Sequence, residues 1–241
     1  MKKLLVLALI LLFPATSFAI PIARVNQGTS GLGNTCQVGS GGTQVICTLS
    51  QAPLPGDTLV LYNSYADGTV TGTSVTGGGV TWTLAGRSNT NALTEIWYGT
   101  NSTGVGTSIT VNLTGTVNLT VRTTITEFSG VAFYGALDKG GTGSNGAASP
   151  ITTASLTPVA RLNEVVVASY KGAAVSTGPT NSFTSLNTLN TSFQPVYLLV
   201  PNTSGSYSTG WTSSAGPWDS EIATFKGATP SSDMMRMSMG F

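Results

Sequence analysis

Along the chain, apolar residues alternate with Thr, Ser, Asn and Gly in short runs, and each run is closed by Gly, Asn, Ser or Pro. "VTWTL" (80–84) and "TSITVNLTG" (107–115) are typical. A period of two is the mark of a half-buried strand. The pattern predicts strands near 44–50, 57–65, 69–76, 80–85, 93–99, 107–114, 117–128, 163–170, 182–187, 194–200, 207–213 and 218–226. Apolar residues do not recur at helical spacing, and Gly and β-branched residues interrupt every candidate helix. The expected fold is all-β, an antiparallel sandwich of jelly-roll type.

The runs echo one another. "EIWYGTNSTG" (95–104) matches "VYLLVPNTSG" (196–205), "VLYNSY" (60–65) matches "VVVASY" (165–170), and "EFSGV" (127–131) matches "TFKGA" (224–228). The order is kept and the offset drifts from 105 through 101 to 97, as shorter loops in a second copy would produce. This predicts two duplicated halves, about 55–131 and 160–228. The stretch "DKGGTGSNGAASPITTASLTP" (138–158) between them reads as a long exposed connection. Each half offers few aliphatic residues for a core of its own, so the expectation is that the halves interdigitate in a single sandwich over 20–228.

The two ends carry different patterns. Residues 1–19, "MKKLLVLALILLFPATSFA", have two lysines, an apolar run too short to span a bilayer, and small residues before Ile20. That pattern predicts a signal peptide, and the mature protein is expected outside the cytoplasm: secreted, periplasmic or on a cell surface or virion. The tail over 229–241 ends "MMRMSMGF", where Met235, Met237, Met239 and Phe241 alternate with Arg236, Ser238 and Gly240. This is similar to the terminal strand of outer-membrane barrels, but strands as polar as "TGWTSSAG" do not make a lipid-facing wall. The tail is expected to dock a partner or remain outside the fold.

Charged residues make up 8% of the chain. Without Lys2 and Lys3 the balance is 8 basic residues against 9 acidic, which gives no steering toward nucleic acid or an anionic membrane. Cys36 and Cys47 flank "QVGSGGTQVI", whose symmetry about its glycines is that of a hairpin closed by a cross-strand disulfide. There is no histidine, so Ser–His and most zinc chemistry are excluded, and neither metal nor cofactor is expected.

The nine carboxylates are Asp57, Asp67, Glu95, Glu127, Asp138, Glu164, Asp219, Glu221 and Asp233. A glycosidase needs two of them within reach of one bond, and no spacing here puts two together. The aromatics are the better candidates. Trp211 and Trp218 flank the turn "TSSAGP", and Trp97 and Tyr98 are adjacent and point to opposite faces. These four are the candidate ligand-binding residues, as a platform for the C–H face of a sugar ring. Thr69, Thr71 and Thr73 alternate as on a flat ice-binding face, a pattern that solvent-facing strands share.

Taken together, "PGDTLV" (55–60), "VTWTLAG" (80–86), "EIWYGTN" (95–101), "EFSGV" (127–131), "LNEVVVASY" (162–170) and "GPWDSEIATFKG" (216–227) resemble a family of secreted bacterial and phage-associated β-sandwich modules. The resemblance covers about residues 25–228. It implies fold and setting: such modules accompany fibronectin-type adhesive modules, and no catalytic residues carry over. The Cys36–Cys47 pair and the Met-rich tail depart from the pattern. The expected function is that of an exported, non-catalytic binding or adhesion module for a glycan or a surface protein. A structural subunit of an extracellular or virion assembly, as a homo-oligomer, and a polysaccharide-active enzyme are the alternatives.

Overall fold

The computed structural model describes residues 20–25, 35–66, 68, 70–88, 93–158, 162–172, 175–187, 192–202, 205–214 and 216–229. The expected signal peptide and the Met-rich segment lie outside them. Among the described residues there is no helix, and every ladder is antiparallel.

The first half contains β1 (Ala23–Val25), β2 (Thr35–Val38), β3 (Gln44–Thr48), β4 (Thr58–Tyr65), β5 (Gly72–Gly77), β6 (Thr83–Ser88), β7 (Leu93–Gly99), β8 (Ser108–Leu113) and β9 (Val121–Ser129). They form two sheets, β1-β9-β4-β7-β6 with β2 also on β9, and β3-β8-β5. The second half contains β10 (Leu137–Gly146), β11 (Ile151–Thr152), β12 (Leu162–Lys171), β13 (Val175–Thr177), β14 (Thr184–Ser185), β15 (Phe193–Asn202), β16 (Gly210–Ser213) and β17 (Trp218–Lys226). Its sheets are β10-β17-β12-β15-β14 and β11-β16-β13.

Three cores separate four layers. Leu59, Leu61 and Ile125 pack against Val45, Ile109 and Val111 of the first outer sheet. Val60, Ile96 and Phe128 pack against Val165, Val167 and Phe225, so the two large sheets lie face to face at the centre. Val166, Ala168 and Ile222 close the third core against Ile151 and Trp211. Strand composition follows layer. "TLVLYNSY" of β4 is buried at every position because both its faces are covered, whereas "QVICT" of β3 alternates exposed and buried.

The strands of the two halves are not mixed within a sheet. No ladder joins a strand before residue 130 to one after 136; the halves meet through the central core and through an isolated antiparallel bridge between Val131 and Gly227. That shared core supplies the apolar burial that each half lacks on its own. Apart from β2, which has no counterpart, the strand orders of the halves correspond, and so does one ladder. Val60 stands opposite Tyr98 and Tyr65 opposite Leu93, while Val165 stands opposite Leu199 and Tyr170 opposite Gln194. Those pairs carry the offsets of 105 and 101 seen in the sequence.

Two local expectations are corrected. The glycine-rich stretch expected as a loop contains β10, a ten-residue strand on β17. Here β10 crosses β6 so closely that a Cβ on Gly86 would collide with the Gly141 backbone, which only glycine permits. Cys36 and Cys47 are disulfide-bonded, with Cα atoms 5.5 Å apart, but not within a hairpin. β2 pairs with β9 and β3 with β8, so the bond ties the inner sheet to the outer one. The glycines between them carry the chain from one sheet to the next instead of folding it back.

Candidate functional site

The four aromatics do not form a stacking platform. Trp211 is 1% exposed and packs on Tyr170 with ring centroids 4.9 Å apart. Trp218 is buried, and its indole N–H donates to the Ala148 carbonyl at 2.8 Å. Trp97 is buried, donating to Glu95 Oε2 at 2.9 Å. Tyr98 is half-buried in the central core, 5.1 Å from the Phe225 ring. The polar turn beside Trp211 and Trp218 predicts exposure, but both rings face the third core, Trp211 from the outer sheet onto Tyr170 and Trp218 from the inner sheet beside Ala148. Of the alternating threonines, Thr73 is exposed, Thr71 is half-buried ahead of β5, and Thr69 lies outside the described residues.

Concavity is found elsewhere, at the end of the first half where β4 begins and β7 and β9 finish. An open groove of about 670 Å³ lies between three connections. Gly77, Gly79, Val80 and Thr81 form one wall, Thr100, Asn101 and Thr103 the second, and Phe133 and Tyr134 the third. The first wall is a turn of three consecutive glycines with φ of 95°, 70° and 66°, a left-handed path that side chains disfavour. Its carbonyls are all engaged: Gly77 O accepts from Trp82 Nε1 at 2.9 Å, Gly78 O from Ser102 Oγ at 3.2 Å, and Gly79 O from Thr103 N at 3.0 Å. Thr100 Oγ1 donates to the Phe133 carbonyl at 2.9 Å and ties the second wall to the third. Tyr134 is 65% exposed, and Thr81, Asn101 and Thr103 are exposed around it. No lining residue is charged.

The carboxylates lie mostly in the interior. Of the seven described, six are buried: Asp57, Glu95, Glu127, Glu164, Asp219 and Glu221. Glu95 has a full set of donors. Tyr65 Oη donates at 2.6 Å, Arg87 Nε at 2.6 Å, Trp97 Nε1 at 2.9 Å, and Asn63 Nδ2 and Gly72 N at 3.2 Å. The register places Ala168 opposite Val196 in the second half where Asn63 stands opposite Glu95 in the first, so this network belongs to one half alone.

At the groove end, the Asp57 carboxyl hydrogen-bonds Glu127. Burial, that bond and the Glu127 charge push Asp57 up to about 7. Glu221 is wedged between Gly86 and Gly143. Burial raises it to about 8, the Ile222 N–H pulls it back, and Asp219 adds to the rise. No carboxylate lines the groove, and among the described residues no three His, Cys, Asp or Glu come together to hold a metal.

No family model, curated protein or solved structure matches this chain. The groove was partly legible in the sequence: "GTNSTG" and "TGGGVT" are turn signals, but nothing in them marks concavity. "FYG" (133–135) held a usable sign, two aromatics between Gly130 and Gly135 outside any alternating run.

Proposed function

We propose that the protein is an exported, non-catalytic binding module and that its groove takes a neutral saccharide. The observation that carries this reading is Tyr134: a largely exposed ring at the mouth of a groove rimmed by Thr and Asn and free of charge. An aromatic face against the C–H face of a pyranose, with hydroxyl and amide groups satisfying the sugar hydroxyls, is the chemistry such a wall offers. The uncharged lining favours neutral sugars over uronic acids or phosphorylated glycans. The apolar run and small residues at 1–19, the disulfide, and the resemblance to secreted sandwich modules support the setting.

The architecture is read here as two duplicated jelly-roll halves. Its support is the shared strand order, the matching passage of the chain between inner and outer sheets with a hairpin in the inner sheet at β6–β7 and β14–β15, and the common β4–β7 and β12–β15 register.

A saccharide array followed by titration calorimetry tests the function. Neutral glycans are expected to be retained, with affinity falling at least about tenfold in Tyr134→Ala, while Trp211→Phe leaves it unchanged. Retention of no saccharide, or retention indifferent to Tyr134, overturns the reading.

A further inference from the structure

We infer that the Asp57–Glu127 carboxyl pair is a pH-responsive latch on the groove: it holds the loop wall in place while one proton is shared and loosens it when that proton is lost. The inference rests on the binding reading, because what it regulates is that groove.

The pair sits where β4 begins. Asp57 is 7% exposed and Glu127 fully buried on β9, on the face of the sheet that carries Leu59 and Ile125. Two carboxyls hydrogen-bond each other only if one keeps a proton. Glu127 Oε1 also accepts the Leu54 backbone N–H at 2.6 Å, which ties the pair to the turn that leads into β4.

The connection to the groove is short. Gly56 N donates to Ser102 O, and Ser102 N donates to Asp57 O, both at 2.9 Å, so the turn and the loop exchange a pair of bonds. Ser102 Oγ in turn holds Gly78 O, and the next amide, Thr103 N, holds Gly79 O. Gly56 also lies against the Phe133 ring, where an added Cβ would be 3.3 Å from Cζ. All three walls therefore rest on the residues beside Asp57.

Few other charges face the pair. The outer strands β3, β5 and β8 carry none. On β1, Arg24 lies over the Tyr197 ring, toward the other half. On β7, Glu95 is at the far end of the same face and is bonded to Arg87. Lys226, the cation at the end of β17, lies beyond Gly135, and Tyr134 is the titratable side chain of the groove itself. Among the described residues none of these cations is placed against the pair, so a second negative charge on it has little to offset it, and separation of the carboxylates is the available response.

Backbone amide shifts of Ser102, Thr103, Gly104 and Ala132, followed by NMR in the full-length exported chain, test the latch between about pH 5.5 and about pH 8.5. They are expected to titrate together with one midpoint near that of the Asp57 carboxyl carbon, and to be flat in Asp57→Asn and Glu127→Gln, which keep a donor at all pH values. Affinity for a saccharide retained on the array is expected to fall about tenfold over that range in the wild type and to stay constant in both variants. Absence of a common midpoint, or its persistence in a variant that folds, overturns the latch; the wild-type titration decides alone if neither folds. An array that retains nothing defeats the binding reading, while the amide titration still decides this one.

Discussion

Glu95 holds five donors in one buried network, and truncating it strands Arg87, Tyr65 and Trp97 without their acceptor. Breaking a buried pair on one side costs roughly 3–5 kcal/mol, so Glu95→Ala is expected to lose about that much in urea denaturation. A smaller loss in Glu95→Gln would locate the difference in the charge on Arg87. Asp57 and Glu221 act through pH in the opposite direction from most carboxylates. Their folded values are raised, from 3.8 to about 7 and from 4.5 to about 8, so the folded chain binds more protons than the unfolded one between those limits. Their stabilising effect is therefore complete near pH 4 and lost as pH climbs through 8. The wild-type Tm is expected to fall from about pH 5 to about pH 9, and Asp57→Asn with Glu221→Gln to flatten that fall and raise Tm by about 5 °C at the alkaline end. None of this is legible from residue type: a lone Glu in "LTEIWYG" (93–99) reads like any strand charge until the layers show which face is covered.

At the level of elements, the sequence was readable wherever side chains alternate against a solvent face or run apolar between two covered ones. β4, β7 and β17 lie almost where the pattern puts them. It failed on β10, where glycine leaves no alternation to read, and on β1, β2, β11 and β13, which are two to four residues long. The same glycines explain the close crossing of β6 and β10. Gly86→Val is expected to destabilise by about 2–3 kcal/mol, as overpacking against the Gly141 backbone does, with a reduced chemical-denaturation midpoint as the measure. The disulfide joins two sheets rather than two strands of one, and its removal in a Cys36→Ser, Cys47→Ser chain is expected to cost about 2.5–3 kcal/mol for a loop of this length.

For the whole molecule, the shared central core sets the unit of folding. Val165, Val167, Ala223 and Phe225 are buried against the first half and belong to the largest face of the second. Residues 1–136 and 137–241 expressed apart are expected to aggregate or stay unfolded, and to recover native tryptophan fluorescence when co-refolded. Monodisperse, cooperatively melting halves would contradict this. The echo in the sequence pointed to two similar parts and gave their strand-to-strand offsets. It carried no information on whether they share sheets or only a face, because strand periodicity does not name its partner across a core.

The placement of the Cys36–Cys47 bond also decides how the molecule bears load. A pull applied at the N-terminal end first peels β1 from β9, then reaches Cys36 and passes through sulfur to Cys47. Residues 37–46 are bypassed, so about 35 Å of chain stays hidden and the tension enters β3 along the outer sheet, in shear against β8. In single-molecule pulling, that length should appear only after reductant is added.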